Sequence, residues 1–191
     1  MKRVVVTGVG AITPIGSTAE EYWQALLDGK SGAAPITLFN AERFKTTFSC
    51  EVKNFEPEDH MPRKDARRLD RFAQLGLVAA EEAMKDSGIN LEAINLSRAG
   101  VIWGSGIGGL SSLEREIEIN TIKKGDPRYN PFMIPKMIID IVSGHISIKY
   151  GYRGINYSTV SACASSSHAI SASFDNIRLG RVDIMITGGS E

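Results

Sequence analysis

A single cysteine stands in a run of very small residues near the end of the chain. Residues Val160–Ile170 read VSACASSSHAI, and ten of the twelve residues from Ala162 to Ser173 are Ala, Ser or Cys. Side chains of this size let other backbone approach closely and leave the sulfur of Cys163 accessible for covalent chemistry. The alternative, a small buried residue without reactivity, is equally compatible with the run alone.

A predicted strand and a predicted helix meet at Cys163. Residues Ile155–Val160 have the pattern of a short strand, and the small-residue run is predicted to form a helix that ends near Gly180. At such a turn the first backbone N–H groups of the helix point outward and stabilise negative charge. They favour a thiolate at Cys163 and supply an oxyanion hole, which acyl transfer through a thioester requires.

The other cysteine and the histidines do not complete a catalytic set in the sequence. Cys50, in TTFSCEV, lies among alternating apolar residues and is predicted to be a small buried side chain. The two cysteines have no metal-ligand spacing, so no metal site is predicted. His168 follows Cys163 by five residues, a rotation of about 140° on a helix, and is a poor candidate base. His60 lies in a polar loop, and His145, within an amphipathic helix, is expected to be a hydrogen-bonded core or surface residue.

Alternating strands and helices predict an α/β fold with a mostly parallel, mixed sheet that is covered on both faces. Pro135 is expected in the first turn of a helix. The final strand has the composition of a central strand, which predicts more chain after Glu191. Besides the strand and helix at Cys163, the predicted elements are strands at Arg3–Thr7, Ala99–Gly104 and Val182–Gly189, and helices around YWQALL and at Lys64–Ser87, Leu110–Lys124 and about Pro131–Tyr150.

Composition and charge exclude several classes of protein. Twenty-two basic residues balance twenty-two acidic ones, so no overall field attracts nucleic acid or an anionic membrane. The basic N-terminus lacks a cleavage site, and no window approaches the ~20 apolar residues of a membrane span. A cytoplasmic protein is the default expectation. Two glycine-rich turns, Gly8–Gly10 and Gly104–Gly109, lack dinucleotide-site spacing, so tight turns and close packing explain them better.

One local patch is strongly basic. Residues Arg63–Arg71 carry five basic and two acidic side chains at the start of a predicted helix. The sequence alone leaves two interpretations open, a solvated helix face and a docking site for an acidic partner.

Taken in order, the segments KRVVVTGVGAITPIG, RKDARRLDRF, GSGIGGL, VSACASSSHAI and VDIMITGGSE resemble the β-ketoacyl-[acyl-carrier-protein] synthases, and most closely the type II condensing enzymes of fatty-acid synthesis. The resemblance implies a thiolase-like fold of two similar halves in αβαβα layers, with residues 1–191 as the N-terminal synthase domain. In that family two catalytic histidines and a lysine lie in the second half, and no residue here matches their motifs.

The resemblance implies a two-carbon elongation by decarboxylative condensation with malonyl-carrier protein, in a homodimer that buries Ile146–Val160. It implies no metal or organic cofactor, because phosphopantetheine arrives on the acyl carrier protein. It also gives each matching residue a role: Cys163 as the acyl-carrying nucleophile, Ile107 and Phe132 in the acyl pocket, and Lys64, Arg67 and Arg68 against the carrier protein.

Two other functions stay open at this point. A half-protein that dimerises or binds carrier protein without turnover would also explain a chain lacking the histidine motifs. A degradative thiolase acting on coenzyme A would use a similar cysteine. Because Cys163 is present, we do not expect the non-elongating partner role taken by relatives that have replaced this residue.

Overall fold

The computed structural model describes residues 1–122 and 126–191. The strands are β1 (Ala34–Pro35), β2 (Phe48–Ser49), β3 (Ala99–Gly104), β4 (Asn156–Thr159) and β5 (Ile184–Gly189). The helices are α1 (Ala19–Leu27), α2 (Arg63–Ala66), α3 (Arg71–Ser87), α4 (Leu110–Ile122), α5 (Met133–Met137), α6 (Ile141–Tyr150) and α7 (Ser165–Arg178). Short 3-10 turns occupy Pro57–Asp59, Leu91–Ala93, Leu96–Arg98 and Ala162–Ala164.

The main sheet has the strand order β4-β3-β5, with parallel pairing on both sides of β3. Val101 lies opposite Asn156 on one side and Ile186 on the other. The predicted α/β fold with a parallel sheet is therefore confirmed. The central position expected for the last strand is wrong within the described residues, because β5 lies at the edge of this sheet. Its apolar composition reflects the helices α7 and α3 that pack against it.

Alternation along β3 assigns its side chains to two different layers. Val101 and Trp103 belong to a buried cluster that includes Phe72 of α3 and Val142 of α6. Gly104 contacts the beginning of α7 on the opposite face. Because successive side chains of a strand point to opposite faces, β3 carries one layer of α3 and α6 and a second layer formed by α7.

The prediction of one continuous helix at Lys64–Ser87 is wrong, because a turn separates α2 from α3. The Asp70 side chain accepts from Phe72 N–H (3.3 Å) and so begins a new helix. The Gln74 side-chain amide donates to the carbonyl of Ala66 (2.8 Å), which otherwise accepts only a longer turn hydrogen bond from Leu69 N–H (3.3 Å). The basic residues that follow α2 consequently lie in a turn rather than in a helix interior.

The helix predicted at about Pro131–Tyr150 is also two helices, α5 and α6. Pro135 is the third residue of α5, so the expected first-turn position is confirmed. The helix predicted at Leu110–Lys124 is present up to Ile122, and its last two residues lie outside the described residues. In the described ranges, no helix is both long and apolar enough to cross a membrane.

The strand predicted at Arg3–Thr7 is not formed. Val5 is 60% and Val6 82% exposed, and this stretch pairs with no strand among the described residues. The backbone that follows is bound by α3 instead, because Val9 N–H donates to Asp86 (2.9 Å) and Ala11 N–H to Glu82 (2.8 Å). An apolar run becomes a strand only where a neighbouring strand accepts its hydrogen bonds.

The first glycine turn permits this close contact with α3. A Cβ atom on Gly10 would lie 2.0 Å from the carbonyl oxygen of Ala79, and one on Gly8 would lie 2.2 Å from that of Ala83. The interpretation of this turn as close backbone packing is confirmed. A mostly apolar cleft of about 550 Å³ is lined by residues 4–10 together with β5, α3 and α7.

Candidate active site

Cys163 lies in the turn that joins β4 to α7. It is the middle residue of the 3-10 turn Ala162–Ala164, which ends where α7 begins, and its side chain is exposed. The predicted strand, turn and helix are therefore confirmed. The alternative of a buried cysteine is wrong, because Cys163 is exposed, and the reactivity of its thiol stays a prediction.

The residue before the cysteine has an unusual backbone conformation. Ala162 has φ +49°, in the left-handed region, although it carries a Cβ atom. This conformation costs an ordinary residue about 1–2 kcal/mol, so the surrounding contacts must hold it. A sharp change of chain direction at this residue separates the sheet from α7 and places Cys163 at the outside of the bend.

Ser165 holds the turn from inside. It is almost fully buried, and its Oγ accepts from Ser161 N–H (2.8 Å) and donates to the carbonyl of Ala162 (2.7 Å). The Thr159 hydroxyl donates to the carbonyl of Ser165 (2.8 Å). The hydroxyl groups of the small-residue run therefore satisfy backbone groups that the bend leaves without regular partners.

Two glycines allow the beginning of α7 to rest directly on the sheet. A Cβ atom on Gly104 of β3 would lie 2.4 Å from the carbonyl carbon of Ser165. One on Gly189 of β5 would lie 1.9 Å from Ser166 Oγ. The small residues of α7 and the glycines of the strands thus work together, and the close approach predicted from the sequence is confirmed.

His168 makes a contact that the sequence analysis missed. Its Nδ1 atom lies 2.5 Å from the hydroxyl of Ser161, two residues before Cys163. His145 is half-buried, and burial lowers the pKa of its imidazole against an opposing effect of Asp65. His60 is exposed and stacks on Phe55 with ring centroids 5.3 Å apart.

Glu191 was also missed, and it fixes the loop that follows β3. Its carboxylate accepts from the hydroxyl of Ser105 (2.9 Å), from Gly106 N–H (2.7 Å) and from Ile107 N–H (3.0 Å). The sequence signal was an acidic residue directly after the GGS end of β5. Because β3 and β5 are parallel neighbours, their carboxyl ends meet at one edge of the sheet, beside the cysteine turn.

The two residues assigned to an acyl pocket lie at opposite ends of α5. Ile107 is 60% exposed, in the loop whose glycines pack on Lys136 and Met137 at the end of this helix. Phe132 directly precedes α5 and is half-buried. A helix of five residues spans about 7.5 Å. The acyl-pocket role of both residues stays a prediction, since the 550 Å³ cleft is lined by neither of them.

The basic patch continues onto Phe132. Lys64 and Arg67 are exposed, whereas Arg68 is half-buried, with its guanidinium carbon 4.7 Å from the centroid of the Phe132 ring. This cation–π contact joins the residues assigned to the carrier protein to a residue assigned to the pocket. The roles themselves stay predictions.

Cys50 is exposed, so its predicted burial was wrong. It follows β2, which forms only a two-residue antiparallel ladder with β1. So short a ladder provides no covered face, and the alternating apolar residues around Cys50 do not reach the core. Within the described ranges, no three His, Cys, Asp or Glu side chains are grouped as metal ligands.

The fold and the turn define a class, an α/β protein of thiolase-like architecture with an exposed cysteine where a helix meets the sheet. A profile of the beta-ketoacyl synthase N-terminal domain matches residues 1–191, and the chain belongs to this family. The resemblance drawn from the sequence is confirmed.

Individual relatives agree with this family. The chain is 44% identical to a 3-oxoacyl-[acyl-carrier-protein] synthase 2 of Synechocystis over 100% of its own length and 45% of the relative. It is 42% identical to that of Staphylococcus aureus, covering 100% and 46%. The crystal structure of a beta-ketoacyl synthase from Burkholderia phymatum has a TM-score of 0.84 at 28% identity, covering 100% and 47%. The chain thus spans about half the length of these relatives.

Proposed function

We propose that this chain provides the acyl-accepting half of a 3-oxoacyl-[acyl-carrier-protein] synthase that elongates fatty acids. The observation that carries the proposal is the exposed Cys163 on a strained turn at the beginning of α7. The names of the relatives, 3-oxoacyl-[acyl-carrier-protein] synthase 2, supply the substrate class.

In the first step the thiolate of Cys163 attacks the carbonyl carbon of an acyl thioester on the carrier protein. The bond to the phosphopantetheine sulfur breaks, that sulfur leaves and takes up a proton, and the acyl group remains on Cys163. The N–H of Ala164 is used inside the turn, where it donates to the carbonyl of Ser161 (3.0 Å). We assign the N–H of Cys163 itself to the oxyanion of the tetrahedral intermediate.

In the second step malonyl-carrier protein loses carbon dioxide, and the resulting enolate carbon attacks the acyl group on Cys163. The thiolate of Cys163 leaves and is free for another cycle. By the family resemblance, the histidines that stabilise the enolate lie outside residues 1–191, so we expect these residues alone not to complete the condensation. No metal or organic cofactor of the protein enters either step.

The basic patch is the proposed docking site for the carrier protein, which is acidic in this family. Lys64 and Arg67 are exposed and free to meet carboxylates, while Arg68 is held on the ring of Phe132. A carrier protein bound there would lie beside the residue proposed to line the acyl pocket, so dock and pocket would adjoin. Ile107 at the other end of α5 is the second proposed determinant of chain length.

A homodimer in the cytoplasm is the proposed working form. β4 is an edge strand with Asn156 and Tyr157 exposed, and Ile148 of the preceding helix is 80% exposed. An edge strand with exposed apolar neighbours is suited to pairing with a second copy across a twofold axis. Light scattering of the full-length protein and of its Tyr157→Lys variant tests this, since we expect the variant to be more monomeric.

Mass spectrometry of the acylated protein tests the main proposal. The full-length protein is incubated with acyl-carrier protein, and the acyl mass is mapped to a peptide. We expect the acyl group on Cys163, its loss in Cys163→Ala, and its retention in Cys50→Ala. Acylation of the Cys163→Ala variant at an unchanged rate contradicts the proposal.

The same assay separates the synthase from a degradative thiolase. The acyl donor is offered either on carrier protein or on coenzyme A at equal concentration. A preference for the carrier protein that falls when Lys64 and Arg67 are changed to Glu supports the proposal. A preference for coenzyme A that is insensitive to these changes supports the thiolase.

A further inference from the structure

Ser161 is fixed at three points, two residues before the cysteine. Its N–H donates to Ser165 Oγ (2.8 Å), and its carbonyl accepts from Ala164 N–H (3.0 Å). Its hydroxyl lies 2.5 Å from Nδ1 of His168. The first two contacts reach no further than Ser165, the first residue of α7. The third reaches His168, an exposed residue three positions further along α7, and so adds a second anchor on the helix.

The residue between Ser161 and Cys163 is the one that needs such support. Ala162 has φ +49°, and its own carbonyl accepts from Ser165 Oγ (2.7 Å). If Ser161 were free to rotate, Ala162 could relax to an ordinary negative φ, and the direction of the Cys163 side chain would change with it. The hydrogen bond to His168 opposes this rotation at the side chain of Ser161, in addition to the contacts of Ser165 with the backbone.

We propose that His168 is a positioning residue that holds Ala162 in its left-handed conformation through Ser161, and thereby presents the Cys163 sulfur. We call the hydrogen bond between His168 and Ser161 the clamp. The presentation of the sulfur to an acyl group rests on the proposed function, whereas the clamp itself does not. The clamp requires a hydrogen-bonding atom at the place of Nδ1 and no transfer of a proton. His168 therefore acts without facing the sulfur, and its position five residues further along α7 suits this role.

The chemistry of the clamp predicts which replacements work. The amide oxygen and nitrogen of Asn are bonded to Cγ, as Nδ1 is in His, whereas those of Gln lie one carbon further along the side chain. His168→Asn should therefore retain the contact with Ser161, and His168→Gln should lose it. These two variants differ by one methylene group and form a matched pair.

The experiment is alkylation of the full-length protein by iodoacetamide, with the rate at Cys163 divided by the rate at exposed Cys50 in the same sample. We expect His168→Ala and Ser161→Ala each to lower this ratio by roughly 5–30-fold, which corresponds to the strain released. The double variant should match either single variant, because both remove one interaction. His168→Asn should stay within about threefold of the native ratio, and His168→Gln should behave as His168→Ala.

Circular dichroism verifies that each variant folds, and if His168→Ala does not, the comparison of Asn with Gln still decides. Equal ratios for Asn and Gln, a native ratio in the single variants, or additive effects in the double variant would overturn the proposal. Acylation by acyl-carrier protein is measured in parallel. If the variants do not show the expected alkylation ratios but Cys163 is acylated normally, the proposed role of His168 fails and the proposed function stands. If the ratios are as expected but Cys163 is not acylated, the proposed function fails and the role of His168 stands.

Discussion

Two stretches of the chain have a similar apolar pattern and entirely different structures. RVVVTG at the N-terminus and AGVIWG at β3 are both short apolar runs that end in glycine. All six residues of β3 are buried between two parallel neighbours, whereas Val6 is 82% exposed and pairs with no strand among the described residues. The difference shows that the neighbours of an apolar run, more than its residues, decide whether it is a strand.

The largest expected difference between the two stretches is in stability. Ile102→Ala in β3 empties a fully buried site and should lower the free energy of unfolding by about 2–5 kcal/mol. Val6→Ala should change it by less than about 0.5 kcal/mol, because that side chain is exposed. Urea unfolding of the 191-residue chain measures both. Equal losses in the two variants would show that the N-terminal run is buried after all.

The glycines that end β3 provide the second test. Gly104→Ala places a Cβ atom 2.4 Å from the carbonyl carbon of Ser165, so α7 must shift, at a cost of about 3 kcal/mol. Gly144→Ala is the matched control within α6, because a Cβ atom there meets nothing within 4 Å and Ala favours a helix. Thermal unfolding should separate the two variants in opposite directions. A stable Gly104→Ala variant with native alkylation of Cys163 contradicts the close packing.

Glu82 tests how the N-terminal stretch is held in place without strand pairing. Its carboxylate accepts from Ala11 N–H and from Ala19 N–H, both at 2.8 Å. Glu82→Ala should destabilise the chain by about 1.5 kcal/mol and increase amide exchange before α1. Glu118→Ala, on the exposed side of α4, is the control and should have little effect. Unchanged exchange at Ala11 would show that other contacts hold the segment.

The smallest expected effect concerns the ion pairs that Asp183 forms with Lys2 and Arg98. Lys2 (2.6 Å) and Arg98 both bind Asp183, and these hydrogen bonds, that of Arg98 first, hold the pKa of Asp183 well below its ordinary range. A lowered pKa in the folded state stabilises the fold above about pH 4 and loses this contribution as the pH falls further. The stability difference between the native chain and Asp183→Asn should therefore shrink below pH 4.

The cysteine turn could be predicted because its determinants are local. The strand pattern, the run of small residues and the position of Cys163 between them are all contained in about twenty-five residues. The strand and helix patterns and the small size of the residues are sufficient to predict an accessible sulfur where a helix begins. The roles of Ile107, Phe132 and the basic patch came from the family resemblance, because no local pattern identifies them.

The features that the sequence did not predict depend on distant partners. The break before α3 is stabilised where Asp70 accepts from the hydroxyl of Ser112 (2.6 Å), 42 residues away. Glu191 reaches the loop after β3 across 84 to 86 residues. Such contacts appear only once the strands are in register. The contact of His168 with Ser161 is nearer, but the six residues between them include a strained turn that periodicity does not describe.

The glycines beneath α7 have a consequence for the way this protein can change over evolutionary time. Gly104 of β3 lies against the peptide unit of Ser165, and Gly189 of β5 lies against the small side chain of Ser166, so the height of the sulfur above the sheet is set by this close packing. Neighbouring loops can then be remodelled while the sulfur keeps its place. For the proposed function, this means that acyl specificity and cysteine reactivity can vary separately.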